Sequence, residues 1–447
     1  MALPTNILQT VQRYMDAQLA WLINYSVVLN PKTGIANTRY KEFNKIPGNL
    51  GDTVTFDLPP RAQTQESLVI SNQGSEQRVQ SLSVTQALSS NYTFNAEQYI
   101  FNVMDYMEKF GKSRMYEIGA KMEKDLLRQV TSSFVVRNDQ SPNNGQVVDV
   151  TSGPYRFFTN GWTIGDTAIP AYNSVTQLAR SRVQFRNYGA AQDQCVSILP
   201  DIIQPDVVGN ALNQFVEKRN SDYAMGWKIG NQGGCDYYQT NLLPDHQAGA
   251  VGDAANPANV LTVVSTNEVN GVITEITFNS PLLSQTGALV SGDLIQFDET
   301  NNFRYLTFIG HFLSDFAVQV RCTADVNTDG AGNVTVPIYP ALVNTSADPN
   351  QNINQSLLAG RTAGVVPSHK AGVIMSGKPF YYASPELPDE IPFPTVHKSH
   401  EGTAISLRNY WGTVFQQNQR SYVYDVIYGS TLVAENSMRI CIPTGNV

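Results

Sequence analysis

The chain has 447 residues, of which 42% are hydrophobic and only 15% charged, and its formal net charge is −8. That length buries ample core and favours two or three domains over one. No run of Lys or Arg exceeds two residues, which argues against a sequence-specific nucleic-acid binder. The polar remainder is rich in Asn, Gln, Ser, Thr and Gly, and a charge-poor surface suits a protein covered by its neighbours. An ordinary secreted β-rich protein would have a similar composition.

Cys195, Cys235, Cys322 and Cys441 are scattered, with no close pair. Zinc and redox motifs need close spacing, so free thiols of a chain made in a reducing cytoplasm are expected. The start of the chain lacks the basic-then-apolar pattern of a signal peptide, and no apolar run is long enough for a membrane-spanning helix.

Leu8, Val11, Met15, Leu19 and Leu22 are spaced three or four apart and predict a helix over residues 5–24. The segment from Asn30 to Asn37 is rich in Pro, Gly and Asn and makes this N-terminus an arm rather than a domain. Thr53 to Leu58 alternates at period two until Pro59-Pro60 stops it, and Ser81 to Thr85 alternates again. Two strands joined by a long polar excursion describe an extended β-arm that needs something to lie on.

Asn95 then caps a long helix, with Gln98 in the capping-box position and a stripe of Ile100, Val103, Met107, Phe110, Ile118, Met122 and Leu126. Gly111 and Gly119 weaken the case for a straight axis. Residues 136–170 read as loop. A helix from about Ser174 to Arg186, a strand from Cys195 to Leu199 and a helix from Pro205 to Lys218 follow.

From Asn259 to Ala341 the texture changes to six short β-type runs: Leu261–Ser265, Val272–Phe278, Asp293–Phe297, Arg304–Ile309, Ala317–Arg321 and Val334–Tyr339. Turn residues such as Asn270-Gly271 and Asp329-Gly330 separate them, which predicts a small closed barrel or sandwich. Pro349 to Gln355 reads as its exit linker. Mixed structure resumes from about Gly364, with strand-like Tyr422–Tyr428 and Met438–Ile442.

This order of parts resembles the major capsid proteins of tailed phages, with the Hong Kong 97-like fold, and within them the branch whose inserted β-barrel is typified by the coat protein of a short-tailed Salmonella phage. Ser291-Gly292-Asp293-Leu294-Ile295-Gln296-Phe297 looks like a barrel strand of that branch, and Val334-Thr335-Val336-Pro337-Ile338-Tyr339-Pro340 looks like a later one. The resemblance implies an α+β fold with an N-terminal arm (1–49), an extended β-arm (50–94), a spine helix with the first part of the peripheral and axial domains (95–243), an inserted barrel (244–362) and a return segment (363–447). The span of about 245 to 360 is expected to fold on its own.

The resemblance further implies a virion shell subunit, assembled in the host bacterial cytoplasm into hexamers and pentamers. Its partners would be a separate scaffolding protein, a portal protein and packaged double-stranded DNA bound without sequence specificity, with no cofactor and no membrane. Arg61, Arg78, Phe56, Leu82 and Val84 on the arm are the candidate inter-subunit contacts. Some members weld their shells through a lysine on the extended arm. This chain has no lysine between Lys45 and Lys109, which implies a non-covalent shell. The loop between the first two barrel strands (Asn267 to Gly271) is shorter than the long contact loop some members carry.

Catalytic and metal motifs are weak. Asp325 to Gly330 matches the first half of a calcium loop, but Val336 stands where the bidentate Glu belongs, so a plain turn is expected. His397, His400 and Glu401 with Asp389 and Glu390 fit no standard metal spacing. His246, His311 and His369 are isolated. Neither a phosphate-binding loop nor a nucleophile elbow is present. The alternative readings are another phage structural protein of tail, fibre or surface-layer type, which repeats would favour, and an enzyme, which a His–carboxylate cluster in a pocket would favour.

Overall fold

A computed structural model describes residues 6–30, 35–38, 53–61, 77–131, 134–135, 146–147, 152–188, 195–203, 228–232, 234–253, 259–307, 310–346, 348–385, 395–399, 405–414 and 419–444, together with 33, 68 and 387. The expected helix from Pro205 to Lys218 lies outside these residues.

The apolar stripe of the N-terminus forms a helix over Asn6–Tyr25. Met15, Leu19 and Leu22 are buried against Met115, Ile118 and Met122 of the spine helix, Ala96–Arg128. Gly119 sits at the crossing: a Cβ there would lie 3.1 Å from the Leu22 carbonyl oxygen, so the missing side chain lets the two backbones approach. The glycines do not interrupt the helix. Its 33 residues span about 50 Å. Phe110, counted in the apolar stripe, is instead 40% exposed and meets Phe94 edge-on.

One carboxylate fixes the turn that follows the N-terminal helix. Glu123, on the spine, accepts the Val27 N–H at 2.9 Å and the Thr240 hydroxyl at 3.5 Å. Burial raises its pKa to about 7, an effect its hydrogen bonds offset only in part.

The expected strand at Ser81–Thr85 proves much longer. It runs Arg78–Asn95 without a break and passes directly into the spine helix. Its first third pairs with Thr53–Leu58 as the arm hairpin. The rest pairs with Gln419–Leu432, a 14-residue strand that continues to Phe380–Ala383 and Ser406–Val414 on its other edge. Where the two pairings meet, Thr85 bulges, and a Cβ on Gly429 would fall 2.2 Å from the Ser83 carbonyl oxygen.

A second sheet has His369–Ser376 at its centre, flanked by Ser437–Pro443 and by Cys195–Pro200, with Cys235–Thr240 parallel to the latter. The helix Val175–Asn187 carries a capping box between Ser174 and Gln177.

The β-rich stretch closes into a six-stranded barrel in the order Val260–Val269, Val272–Asn279, Asn333–Val343, Gln319–Cys322, Leu294–Phe297 and Thr362–Val365. Val334, Val336 and Ile338 alternate inward beside Ile276, Phe278 and Phe297. Asn270 and Gly271 make the two-residue turn with positive φ at both positions. Three expectations are corrected. Arg304–Leu306 leaves the barrel and pairs with Leu313–Ala317 in a separate ribbon. The closing strand is Thr362–Val365, which straddles the expected boundary at 362, so a span ending at 360 lacks it. Nor is Pro349 to Gln355 a bare linker, because Ile353 is buried and bridges to Tyr305.

The raised pKa of Glu123 fixes the sign of a pH effect. A group that binds its proton more tightly when folded contributes stability that is full below about pH 4.5, its unfolded value, and lost as pH rises through about 7. We expect Glu123→Gln, which cannot ionise, to gain on the parent by at most about 3 kcal/mol between pH 5 and pH 8. Thermal melts across that range check it, and a difference that does not change with pH would contradict it.

Candidate functional site

The arm hairpin alternates at period two, and its inner face is taken by the chain itself. Phe56 and Leu82 are buried with Ala383 and Val433, Val84 packs beside them, and Phe56 stacks on Tyr381 at 4.0 Å between ring centroids. The outer face carries Thr55, Asp57 and Val79, all exposed. Of the expected contact residues, Phe56, Leu82 and Val84 therefore face inward within the single chain.

Arg61 and Arg78 are likewise engaged at the root of the arm. Arg78 donates through both terminal nitrogens to Glu435, with Nη1 to Oε2 at 2.9 Å. Arg61 donates to the same carboxylate at 3.2 Å and to the Asn350 carbonyl at 3.2 Å. Both expected contact residues thus meet a carboxylate of the same chain, 357 and 374 residues away. Burial alone would raise the Glu435 pKa, but the two guanidinium groups outweigh it and hold it below the usual carboxylate range.

Below the arm lies a junction built from arginines that are fully buried, an uncommon state for this residue. Arg439 donates to three carbonyls: Nε to Val130 at 2.9 Å, Nη1 to Gly292 at 3.0 Å and Nη2 to Thr131 at 2.8 Å. Burial pulls its pKa down to about 9, so it stays charged at neutral pH. Val130 and Thr131 follow the end of the spine helix, where carbonyls lack helical partners and a cation is favoured. Gly292 has φ +96°, and a Cβ there would meet the Thr131 oxygen at 2.2 Å. Arg321 donates to the Ser152 carbonyl at 2.8 Å. Arg156 is packed among the rings of Tyr155, Tyr188 and Tyr305, at 4.9–5.4 Å from their centroids.

A buried His–carboxylate pair exists as well. His246 Nε2 lies 2.8 Å from Asp293, whose carboxylate also accepts the N–H groups of Gly249 and Val290. His369 stands beside it with ring centroids 5.3 Å apart, and burial, then the neighbouring His246, lowers its pKa well below the ordinary value. These contacts join the barrel to the central sheet through the short pairing of Asp245–His246 with His369–Lys370. The groove between the helix Val175–Asn187 and the barrel, about 480 Å³, has neither residue in its lining. It is walled by Phe158, Trp162, Val183 and Phe316, with Arg180 and Glu299 among its polar groups.

The calcium-like segment is a turn whose oxygens cap backbone amides: Asp325 accepts Ser291 N–H, Asn327 accepts Gly287 N–H, and Asp329 accepts those of Ala331 and Asn333. Among the described residues, no cluster of three or more His, Cys, Asp or Glu is disposed to hold a metal. His397 belongs to the strand Thr395–Ser399, while Asp389, Glu390, His400 and Glu401 lie outside the described residues. Spacing along the sequence missed one approach: Cys195 and Cys235, 40 residues apart, bring their sulfurs to 2.6 Å.

The arm root has a calculable response to acid. Its carboxylate contact is fully present above about pH 4.5 and is lost as pH falls through the lowered folded-state pKa of Glu435. Glu435→Gln removes the charge at all pH values and should weaken the seating of the arm by about 3 kcal/mol. Hydrogen exchange of residues 53–58 reads this directly. We expect faster exchange in the variant at pH 7, with barrel amides unchanged. Equal protection of these arm amides in parent and variant would contradict it.

No family model matches the chain, and no curated protein matches it. Solved phage capsid structures follow its course. The capsid of Ralstonia phage GP4 is similar over 92% of this chain and 88% of that one, at 9% identity and a TM-score of 0.44. The capsid of cyanophage Pam1 is similar over 92% and 89%, at 9% identity and a TM-score of 0.42. Mycobacterium phage Che8 is similar over 91% and 89%, at 8% identity and a TM-score of 0.40.

Proposed function

We propose that the chain is the major capsid protein of a tailed phage, a non-catalytic subunit of the icosahedral head shell that encloses double-stranded DNA. The observation that carries this reading is the arm. An 18-residue strand runs straight into a 33-residue helix, and its hairpin partner Thr53–Leu58 has only that one strand beside it among the described residues. Proteins cover such an edge strand with another chain or blunt it. The outer face adds exposed Val79 and, on the excursion beyond, Leu68. An element this long, seated on one face and open on the other, suits a subunit that lies on its neighbours.

The same reading gives the partners: copies of the chain in hexamers and pentamers, a scaffolding protein during assembly, and a portal protein. The low charge of the chain suits DNA that must move within the shell. The shell is held without covalent welds, because the arm lacks a lysine nucleophile and guanidinium cannot take its place.

Co-expression with a scaffolding protein should give closed shells in electron micrographs, and boiled particles should run as a single band at the monomer mass on a denaturing gel. A monodisperse monomer under all such conditions would overturn the assembly reading. A ladder of multimers that survives reductant would overturn the non-covalent one.

A further inference from the structure

Cys195 opens the strand Cys195–Pro200 and Cys235 opens Cys235–Thr240, and the two are direct register partners in a parallel pair. Adjacent strands lie about 4.8 Å apart, within the roughly 4.4–6.8 Å range of Cα separations that disulfides span. The sulfurs, at 2.6 Å, stand about 0.6 Å beyond bonding distance. Neither is bonded to a second sulfur, and both are buried, Cys195 at 7% exposure and Cys235 at 0%. The Arg182 guanidinium lies against Gly234, just before Cys235, and its charge acts to favour a thiolate there.

We propose that Cys195 and Cys235 are a built disulfide site, reduced as synthesised and oxidised by hydroperoxide to a staple across the central sheet. The idea stands whether or not the chain builds a shell. The order of events follows from exposure. Cys195, the more accessible sulfur, attacks the peroxide: an S–O bond forms, the O–O bond breaks, and the thiol proton leaves with the departing oxygen as water. Cys235 then attacks the sulfenic sulfur as it gives up its proton, since the thiolate is the nucleophile. The S–S bond forms, the S–O bond breaks, and hydroxide leaves with that proton as a second water. Two thiols and one peroxide thus give one disulfide and two waters.

Cys322 and Cys441 are buried elsewhere, Cys322 in the barrel and Cys441 in the sheet beside Arg439. Each provides an internal control. The test uses the full chain with dilute hydrogen peroxide, followed by unfolding in denaturant and thiol titration. Titratable thiols should fall from four to two, with both restored by dithiothreitol. Digestion should yield one linked pair of peptides, from Cys195 and Cys235. In the Cys322→Ser, Cys441→Ser variant the count should fall to zero. In Cys235→Ser, Cys195 should accumulate as a sulfenic acid that dimedone traps. Four thiols surviving peroxide, a link to Cys322, Cys441 or another chain, or sulfinic acid at Cys195 in the parent would each overturn the proposal.

Discussion

The guanidinium of Arg439 is the constraint on which the rest of the molecule depends. From the strand Ser437–Pro443 it holds the last carbonyls beyond the spine helix and the turn that opens the barrel strand Leu294–Phe297. One side chain therefore joins helix, sheet and barrel at a single buried point. Its hydrogen-bond partners there are neutral oxygens, and the Asp293 carboxylate acts on it through its charge. The neutral oxygens at a helix terminus already carry partial negative charge, so carbonyls suffice where an ion pair would need two charges desolvated. The close approach at Gly292 is the backbone side of the same arrangement, since any Cβ there would displace the Thr131 oxygen.

The arm depends on this junction at one remove. Glu435 lies four residues before Arg439, and it is Glu435 that gathers Arg61 and Arg78. The segment Glu435–Arg439 thus orients both the arm root and the end of the spine. Long strand, long helix and barrel are held in fixed relation by a few charged groups that are largely shielded from water. The proposed role as a shell subunit would use that property, because an arm that rests on neighbours transmits force to its own root.

What was legible in the sequence was local in origin. Met15, Leu19 and Leu22, and Ile118, Met122 and Leu126, repeat at helical spacing and lie buried as that spacing implies. Val334, Val336 and Ile338 alternate as a barrel strand should, and Asn270-Gly271 turns the hairpin. What was missed depends on partners far along the chain. Residues 86–95 are mostly small or polar and signal no strand alone; Gln419–Leu432 makes them one. Thr362–Val365 is short and contains Gly364, whose missing side chain makes room for Trp162 and Ile164. The candidate site divides the same way. Arg61 and Arg78 stood out as the only cations of the arm, yet their carboxylate is more than 350 residues away. Nor does spacing mark Cys195 and Cys235 as sheet neighbours.

The most direct test of this account is calorimetric unfolding of the Arg439→Met variant beside the parent. Methionine keeps much of the aliphatic volume but leaves three buried carbonyls without their donor, at about 1–3 kcal/mol each. The account requires that the parent's barrel and sheet unfold together and that the variant's separate, with the barrel and its neighbouring sheet melting in distinct transitions at lower temperature. A variant that unfolds in one transition at the parent temperature would contradict the claim that Arg439 couples them.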